Sequence, residues 1–404
     1  MSEATDSSPG RPQGNRTPLG GSDPHAVGER GGQVSPPGRP QGNRTPSGGS
    51  DPHAVGERGG GIRILVVKLS SLGDVVHTMP AVQDLRAAYP DARIDWVVES
   101  AFVPLVNRCE GVGRVIACDL RRWRKAPWSS STRREWGVFK AALRQVRYDL
   151  VIDLQGLTKS ALVAWLANTT PNGRRIAMAN QTEGSGYEAP TRWVADKTVR
   201  LEPHVHAIQR SRLVCAAALG YAVQGPAVFG LRALGQAVLP PALQGLAANP
   251  FVPRKPLVAL VHGSSRNDKQ WPLSSWVALG QRLNHSGFSV ALAHGNAAER
   301  ATSEAIAAAL DDAWVWPSMA LDALTDTLAR CAGVIGVDSG LSHIAVALGL
   351  PHVQIYNFDT AWRTGPLADR PHAGKQLSLF ATPTPELNAV WQAWETLDTP
   401  VLCR

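Results

Sequence analysis

The residues of this chain that could do chemistry gather where apolar runs give way to glycine, hydroxyl and charged side chains. The first such place is Ser-Ser-Leu-Gly-Asp at 70–74, directly after the apolar run RILVVKL at 63–69. Asp74 stands at the mouth of a strand–loop–helix turn. α/β proteins hold anions at such turns, and a carboxylate repels them. Asp74 is therefore either a general base that takes a proton from a hydroxyl nucleophile or a cap for a helix starting at Val75. Lys68 and His77 flank it, as substrate-orienting groups or as scaffold.

A second group lies in the C-terminal half. In Val-Asp-Ser-Gly-Leu-Ser-His at 337–343 a strand turns into a helix. Gly340 allows close backbone approach, and the amides of Gly340, Leu341 and Ser342 open a helix N-terminus, which favours an anion by its dipole and unpaired donors. Asp338 or Ser339 is alternatively a simple N-cap, and His343 a packed residue. The loop HGSSRNDKQWP at 262–272 brings the hydroxyls of Ser264 and Ser265 together with the cation Lys269. That combination suits a phosphate or diphosphate, or a solvated loop with capping serines. No GxxxxGK[ST] occurs, which excludes a P-loop enzyme. Glu299, at another strand end, is either a ribose-binding acid or a first-turn helix acid.

Residues 114–147 hold ten Lys/Arg and two acids, with Trp123, Trp128 and Trp136 interleaved. This patch fits a nucleic acid, a membrane surface or a large phosphorylated substrate.

These loops need rigid elements behind them. Strand patterns at 93–99, 148–156, 257–263, 288–295, 333–338 and 352–356 alternate with helical ones from Val75 and at 159–167, 274–287, 299–310, 321–331, 341–349 and 386–397. Strand–helix alternation with short connections predicts parallel, doubly wound sheets. Ligands then sit beyond the strands' C-terminal ends. The pattern weakens between about Gly220 and Pro256, where proline and glycine cluster. Two domains follow, at 62–235 and 256–385, with residues 386–404 as a C-terminal helix packing back on the first. Residues 1–61 form a separate tail. It carries two near-identical copies starting at Gly10 and Gly38 that differ only at Leu19 and Ser47. It lacks the apolar residues that would offset ordering entropy and is expected to be disordered. It is either a functional tail or a duplicated stretch upstream of the folded protein.

The chain has 404 residues, 44% hydrophobic composition and a net charge of +8, enough for two ordinary domains. The scattered cysteines Cys109, Cys118, Cys215, Cys331 and Cys403 form no CxxC and read as reduced thiols. No apolar run reaches the roughly 18 residues of a membrane span, and the N-terminus has no apolar signal core. A soluble protein, or one resting on a membrane surface, is expected.

ILVVKLSSLGDVVHTMPA, LRRWRKAPW, VIDLQGLTKSAL, HGSSRNDKQWP and VDSGLSHIAVALG occur in this order from Ile64 onward. In that order they resemble the lipopolysaccharide heptosyltransferases of glycosyltransferase family 9, most closely the heptosyltransferase I group, which adds the first heptose to the Kdo–lipid A inner core. The resemblance runs from Ile62 to the C-terminus. It implies an α/β fold of two facing Rossmann-like domains, the glycosyltransferase B type. It further implies Asp74 as catalytic base. Ser264, Ser265 and Lys269 would bind the donor diphosphate, Glu299 the ribose and Met319 the adenine, with Asp338, Ser339, Gly340, Leu341 and His343 forming the donor loop. On the acceptor side the expected residues are Lys68, Ser71, Gly73, Arg121, Arg122, Arg124 and Lys125. Serines stand at 264, 265 and 339 where the family often has threonines. NFDTAWRTGP at 357–366 replaces a common G-P-T-D-P pattern, and the tail has no counterpart.

The reaction so implied is a single, inverting displacement of ADP from ADP-heptose by a Kdo hydroxyl. Lys269, the serine hydroxyls and a helix N-terminus would meet the leaving-group charge in place of a metal or cofactor; Asp311 and Asp312 are a weak metal candidate. The expected enzyme is a monomer that binds no nucleic acid. It is expected in the cytoplasm, peripheral on the inner face of the inner membrane, in contact with anionic lipid and Kdo–lipid A. Three other readings remain open: a family member with another core acceptor, a two-Rossmann sugar-nucleotide epimerase, and a non-catalytic lipid- or nucleic-acid-binding protein. An epimerase leaves the basic patch unexplained; a binding protein leaves the facing loops unexplained.

Overall fold

The computed structural model describes residues 61–234, 255–367 and 375–397. The repeat-bearing tail before Gly61, most of the proline- and glycine-rich segment after Leu234, and Cys403 lie outside the described residues.

The near-continuous apolar run at the start of the described chain becomes β1 (Arg63–Val67), the inner strand that its two-sided burial requires. Around it β2 (Arg93–Glu99), β3 (Val112–Cys118), β4 (Tyr148–Asp153), β5 (Thr169–Met178) and β6 (Lys197–Val199) form a parallel sheet in the order β3-β2-β1-β4-β5-β6. Val66 pairs with Trp96 on one side and Ile152 on the other. The second sheet comprises β7 (Leu257–Val261), β8 (Ser289–Leu292), β9 (Ala313–Val315), β10 (Gly333–Val337), β11 (His352–Tyr356) and β12 (Gln376–Phe380), ordered β12-β11-β10-β7-β8-β9. Two parallel six-stranded sheets are the two-Rossmann architecture that the alternating pattern and the resemblance implied.

The helices of the first half are α1 (Leu72–Ala88), α2 (Val103–Val106), α3 (Leu120–Trp123), α4 (Ser130–Arg144), α5 (Thr158–Leu166), α6 (Pro190–Val194) and α7 (Ala207–Leu219). Those of the second are α8 (Leu273–His285), α9 (Ala297–Ala307), α10 (Leu321–Leu328), α11 (Gly340–Ala347), α12 (Ala361–Thr364) and α13 (Leu387–Glu395). Among the described residues no helix is long and apolar enough to cross a membrane. Alternation along β1 divides the first core. Ile64 and Val66 pack with Val75, Met79 and Val82 of α1, while Leu65 and Val67 pack with residues of α4 and α5.

Helix α1 begins three residues before the expected start at Val75. Ser71 is the N-cap and Asp74 the third helical residue, completing a capping box. The last helix also departs from expectation. Val390, Ala393 and Trp394 of α13 join the second sheet's own cluster with Val258, Ile335 and Val353. Residues 387–395 therefore cover the second half rather than returning to the first, because their apolar stripe matches that sheet's open face. The halves touch elsewhere: α1 packs against α11, and Arg108 of the first half pairs with Asp326 of the second at 2.9 Å.

Candidate active site

The turn after β1 is held from below. Gln155 Oε1 accepts the amides of Leu69 and Ser70, each at 3.1 Å. Gln155 is itself fixed by Asp153, whose Oδ1 accepts the amides of Gln155 (2.9 Å) and Gly156 (3.1 Å) while Oδ2 accepts the Ser160 hydroxyl. Burial raises the Asp153 carboxyl to about 6, against the pull of those amides, the hydroxyl and Lys68. Between the ordinary value of 3.8 and about 6 the folded chain keeps a proton on Asp153 that the unfolded chain has lost. Stability from this residue therefore falls as pH rises through that window. Asp153→Asn is expected to flatten the stability–pH profile there, as read by thermal melts across pH. A profile as steep as the parent's would contradict it.

On this platform Asp74 faces two ways. Its Oδ2 accepts the Ser71 amide (3.2 Å) and hydroxyl (3.0 Å). Its Oδ1 lies 3.4 Å from Lys68 Nζ and 3.3 Å from Arg210 Nη2. Burial alone would raise this carboxyl. Lys68 first, then Arg210 and the Ser71 hydrogen bonds outweigh it and hold the pKa below the ordinary value. Asp74 is thus ionised throughout the physiological range. Burial lowers Lys68, opposed by Asp74, and lowers Arg210 likewise. Arg210 Nη1 also reaches Thr182 Oγ1, and its Nε is buried without a hydrogen-bond partner among the described residues. A buried unpaired donor beside a carboxylate is expected at a functional site.

In the second half Lys269 Nζ donates to Asp338 Oδ2 at 2.5 Å, and His343 Nε2 lies 3.3 Å from Asp338 Oδ1. Burial would raise Asp338; His343 and Lys269 hold it far below the ordinary range. Ser264 donates to the Asp338 carbonyl at 3.3 Å. Ser339 is the N-cap residue of α11, yet its Oγ is buried without a partner among the described residues, as is His343 Nδ1. Leu341, in the first turn of α11, is half-buried against the core.

The two groups meet. A Cβ on Gly73 would lie 2.7 Å from His343 Cδ2, and one on Gly340 would lie 2.5 Å from Leu72 Cδ2. Each helix start thus carries a glycine where the other half presses in. The His77 ring packs against the His343 ring at 4.3 Å, tilted by 59°. Burial, then His343, His206 and Arg210, push His77 well below its usual value, so it is neutral and scaffold-like. An unbroken path therefore runs from Asp74 through Gly73, His343 and Asp338 to Lys269.

Other expected site residues stand apart. Glu299 Oε2 accepts the Gly295 amide at 2.7 Å beside Gly263, at the ends of β7 and β8. Met319 packs half-buried, its sulfur accepting from Thr327 at 3.8 Å. Ser265 is exposed. The basic segment is not a single open patch. Arg114 is engaged by Asp95, Gln145 and Tyr148, and Arg122 by Asp119 and Glu135. Trp123, one of the tryptophans interleaved in the expected basic patch, is buried against Trp136 and Phe139, and its indole N–H donates to Glu135. Arg121 alone turns to the site, bonding Ser70 Oγ at 3.2 Å and Glu99 at 3.2 Å, while Arg124 and Lys125 are exposed. Asp312 is taken up by Ser289 and Lys255.

Several site neighbours escaped the sequence reading. Lys159 Nζ donates to Ser70 Oγ at 2.8 Å and lies 3.4 Å from Glu99. It sits in the first helical turn after β4, so the strand-end rule could have found it. Arg210 comes from α7, a helix with no glycine-rich start, and only its charge within an apolar run marked it. The divergent segment 357–366 has a role. Asn357 Nδ2 donates to the carbonyls of Asp268 and Gln270, both at 2.9 Å, clamping the Lys269 turn. Trp362 stacks on His204 of the first half at 3.5 Å, and His206 Nε2 meets the Gly365 carbonyl at 3.0 Å.

Comparison with known proteins matches this arrangement. The family model of glycosyltransferase family 9 (heptosyltransferase) matches residues 136–386. Lipopolysaccharide heptosyltransferase 1 of Pseudomonas aeruginosa is 36% identical over 302 residues, covering 73% of this chain and 78% of that protein. The structure of E. coli heptosyltransferase WaaC with ADP is 30% identical with a TM-score of 0.70, covering 83% of this chain and 99% of that one. WaaC with ADP-2-deoxy-2-fluoro heptose is 31% identical with a TM-score of 0.67 over the same shares. The chain belongs to glycosyltransferase family 9, the heptosyltransferases.

Proposed function

We propose that this enzyme transfers heptose from ADP-heptose to a Kdo hydroxyl of Kdo–lipid A in lipopolysaccharide inner-core synthesis. It would work as a peripheral enzyme at the inner face of the inner membrane. The observation that carries the reading is the path between the halves: an ionised carboxylate on the first is separated by one glycine–histidine contact from a Lys269–Asp338–Ser264 cluster on the second. The relatives support it, since the WaaC structures hold ADP and an ADP-heptose analogue.

In this reading the donor diphosphate lies at the second-half cluster, near the α11 N-terminus, and the acceptor approaches Asp74 past Arg121 and Lys159. The Kdo hydroxyl oxygen bonds to the anomeric carbon. The bond from that carbon to ADP breaks, and ADP leaves with the electron pair. The hydroxyl proton passes to Asp74. Lys269, Ser264, Ser339 and the amides of Gly340 and Leu341 meet the charge that grows on the leaving diphosphate. Lys68 and Arg210 keep Asp74 ionised but lower its basicity, so proton transfer is favoured only as the new bond acidifies the hydroxyl.

Incubating the enzyme with ADP-heptose and Kdo–lipid A is expected to add one heptose to the lipid by mass spectrometry, with ADP released only when the lipid is present. An unchanged lipid mass, or ADP release without acceptor, would reject the reading.

A further inference from the structure

Helices α4, α5 and α6 cover one face of the first sheet, with α5 packed against both of the others. Their inner sides are ordinary core. Their outer sides are not. Trp165 on α5 is 62% exposed and Trp193 on α6 is 74% exposed, and Leu162 on α5 and Val138 on α4 are exposed as well. Leu162 and Trp165 are three residues apart, so they share the outward stripe of α5, while Ala161, Val163, Ala164 and Leu166 are buried. Helix α5 is therefore apolar nearly all round, which a water-facing helix of a globular protein rarely is. Helix α6 starts beside the α5 N-terminus, where Glu188 Oε2 accepts the Thr158 amide at 2.7 Å. It ends at Val194, which packs in the same cluster as Ala164 and Leu166. Trp193 thus stands on a helix packed directly against α5, which carries Trp165.

The net charge of these helices is positive. The three helices carry Arg133, Arg134, Lys140, Arg144, Lys159 and Arg192. Their one acid, Glu135, is paired with Arg122. A second copy of this chain on the same face would set like charges against like. Exposed indoles on helices with a net positive charge match the headgroup layer of an anionic bilayer, where tryptophan rests at the water boundary and Lys/Arg meet lipid phosphates.

We propose that the outer face of α4–α6, led by Trp165 and Trp193, is the surface that docks this enzyme on an anionic lipid bilayer. This rests on the reading that the acceptor is a membrane lipid, and it names the face that meets the membrane. The same helix ties that face to the site: Lys159, in the first turn of α5, bonds Ser70 beside Asp74. Trp165 is six residues further on, about 9 Å along the helix axis. A lipid headgroup rising at the rim of the docked face is then within reach of the Asp74 turn.

The test is co-sedimentation of the full chain with vesicles of phosphatidylethanolamine and phosphatidylglycerol in equal parts, beside vesicles of phosphatidylcholine. The parent is expected to partition onto the anionic vesicles. The double variant Trp165→Gln, Trp193→Gln is expected to lose about 30–100-fold in partitioning. The double phenylalanine variant should retain most of it. Both side chains are exposed, so melting temperature and turnover on a deacylated, water-soluble Kdo acceptor should match the parent. A glutamine variant that partitions like the parent, or a parent that does not partition, overturns the proposal. So does a variant that changes only the oligomeric state in light scattering. Failure of the parent to turn over the soluble acceptor would instead reject the transferase reading, whatever the vesicles show.

Discussion

Asp74→Asn is expected to keep ADP-heptose binding and to lower turnover by about 10²–10⁴-fold, the range that general base catalysis usually spans. Asparagine keeps the shape and can still accept from Ser71, so the start of α1 should survive. It cannot accept the proton of an attacking hydroxyl. It also removes the charge that lies 3.4 Å from Lys68 and 3.3 Å from Arg210. Two buried cations then lose the carboxylate they share, and some stability is lost with the activity. Donor affinity by calorimetry and a melting curve separate the two effects. Near-parental turnover in a folded variant would reduce Asp74 to a capping residue. The same geometry sets the acid limb of the parent's pH–rate profile. Because Lys68 and Arg210 hold this carboxyl below its ordinary value, activity should persist down to the carboxylate range. An acid limb near neutrality would point to another base.

Lys269→Ala is expected to weaken both ADP and ADP-heptose by about 1.5–3 kcal/mol, roughly 10–150-fold, as for loss of a charge-assisted hydrogen bond. Lys269 is held in place twice, by Asp338 at its ammonium and by Asn357 through the carbonyls on either side of it. Its removal also takes away the ammonium that Asp338 contacts, leaving a buried carboxylate at the mouth of an anion site. That carboxylate would then repel the diphosphate. Lys269→Arg should recover part of the affinity. ADP binding by calorimetry reads the outcome directly. Unchanged ADP affinity in the alanine variant would remove Lys269 from the donor site.

What could be read from the sequence followed from where its residues sit on the sheets. The central strands β1, β4, β7 and β10 are buried on both faces, so they print as apolar runs, and the loops at their ends stand out. Asp74, Lys269, Asp338 and His343 were all visible there. The edge and near-edge strands β3, β5, β6, β9 and β12 are half exposed and short or interrupted by polar residues, such as Arg114 in β3, Arg174 and Arg175 in β5 and Lys197 in β6, so they did not stand out. Arg210 was hidden because its pairing with Asp74 spans 136 positions and depends on how α7 lies along α1. Burial decided Trp123 against the reading from charge density. A run of arginines does not reveal which of its members pair with Asp95, Asp119 and Glu135. The path of α13 was likewise undetermined, since an apolar stripe does not say which sheet it covers.

The central claim is a direct displacement in which Asp74 deprotonates the acceptor and ADP leaves from the opposite side of the sugar. Nuclear magnetic resonance of the new glycosidic linkage, made from ADP-heptose of defined anomeric configuration, tests it most directly. The account predicts a product with the opposite anomeric configuration to the donor. A product that retained the donor's configuration would require two displacements through a covalent sugar–enzyme intermediate, and would contradict a mechanism in which Asp74 serves only as a base.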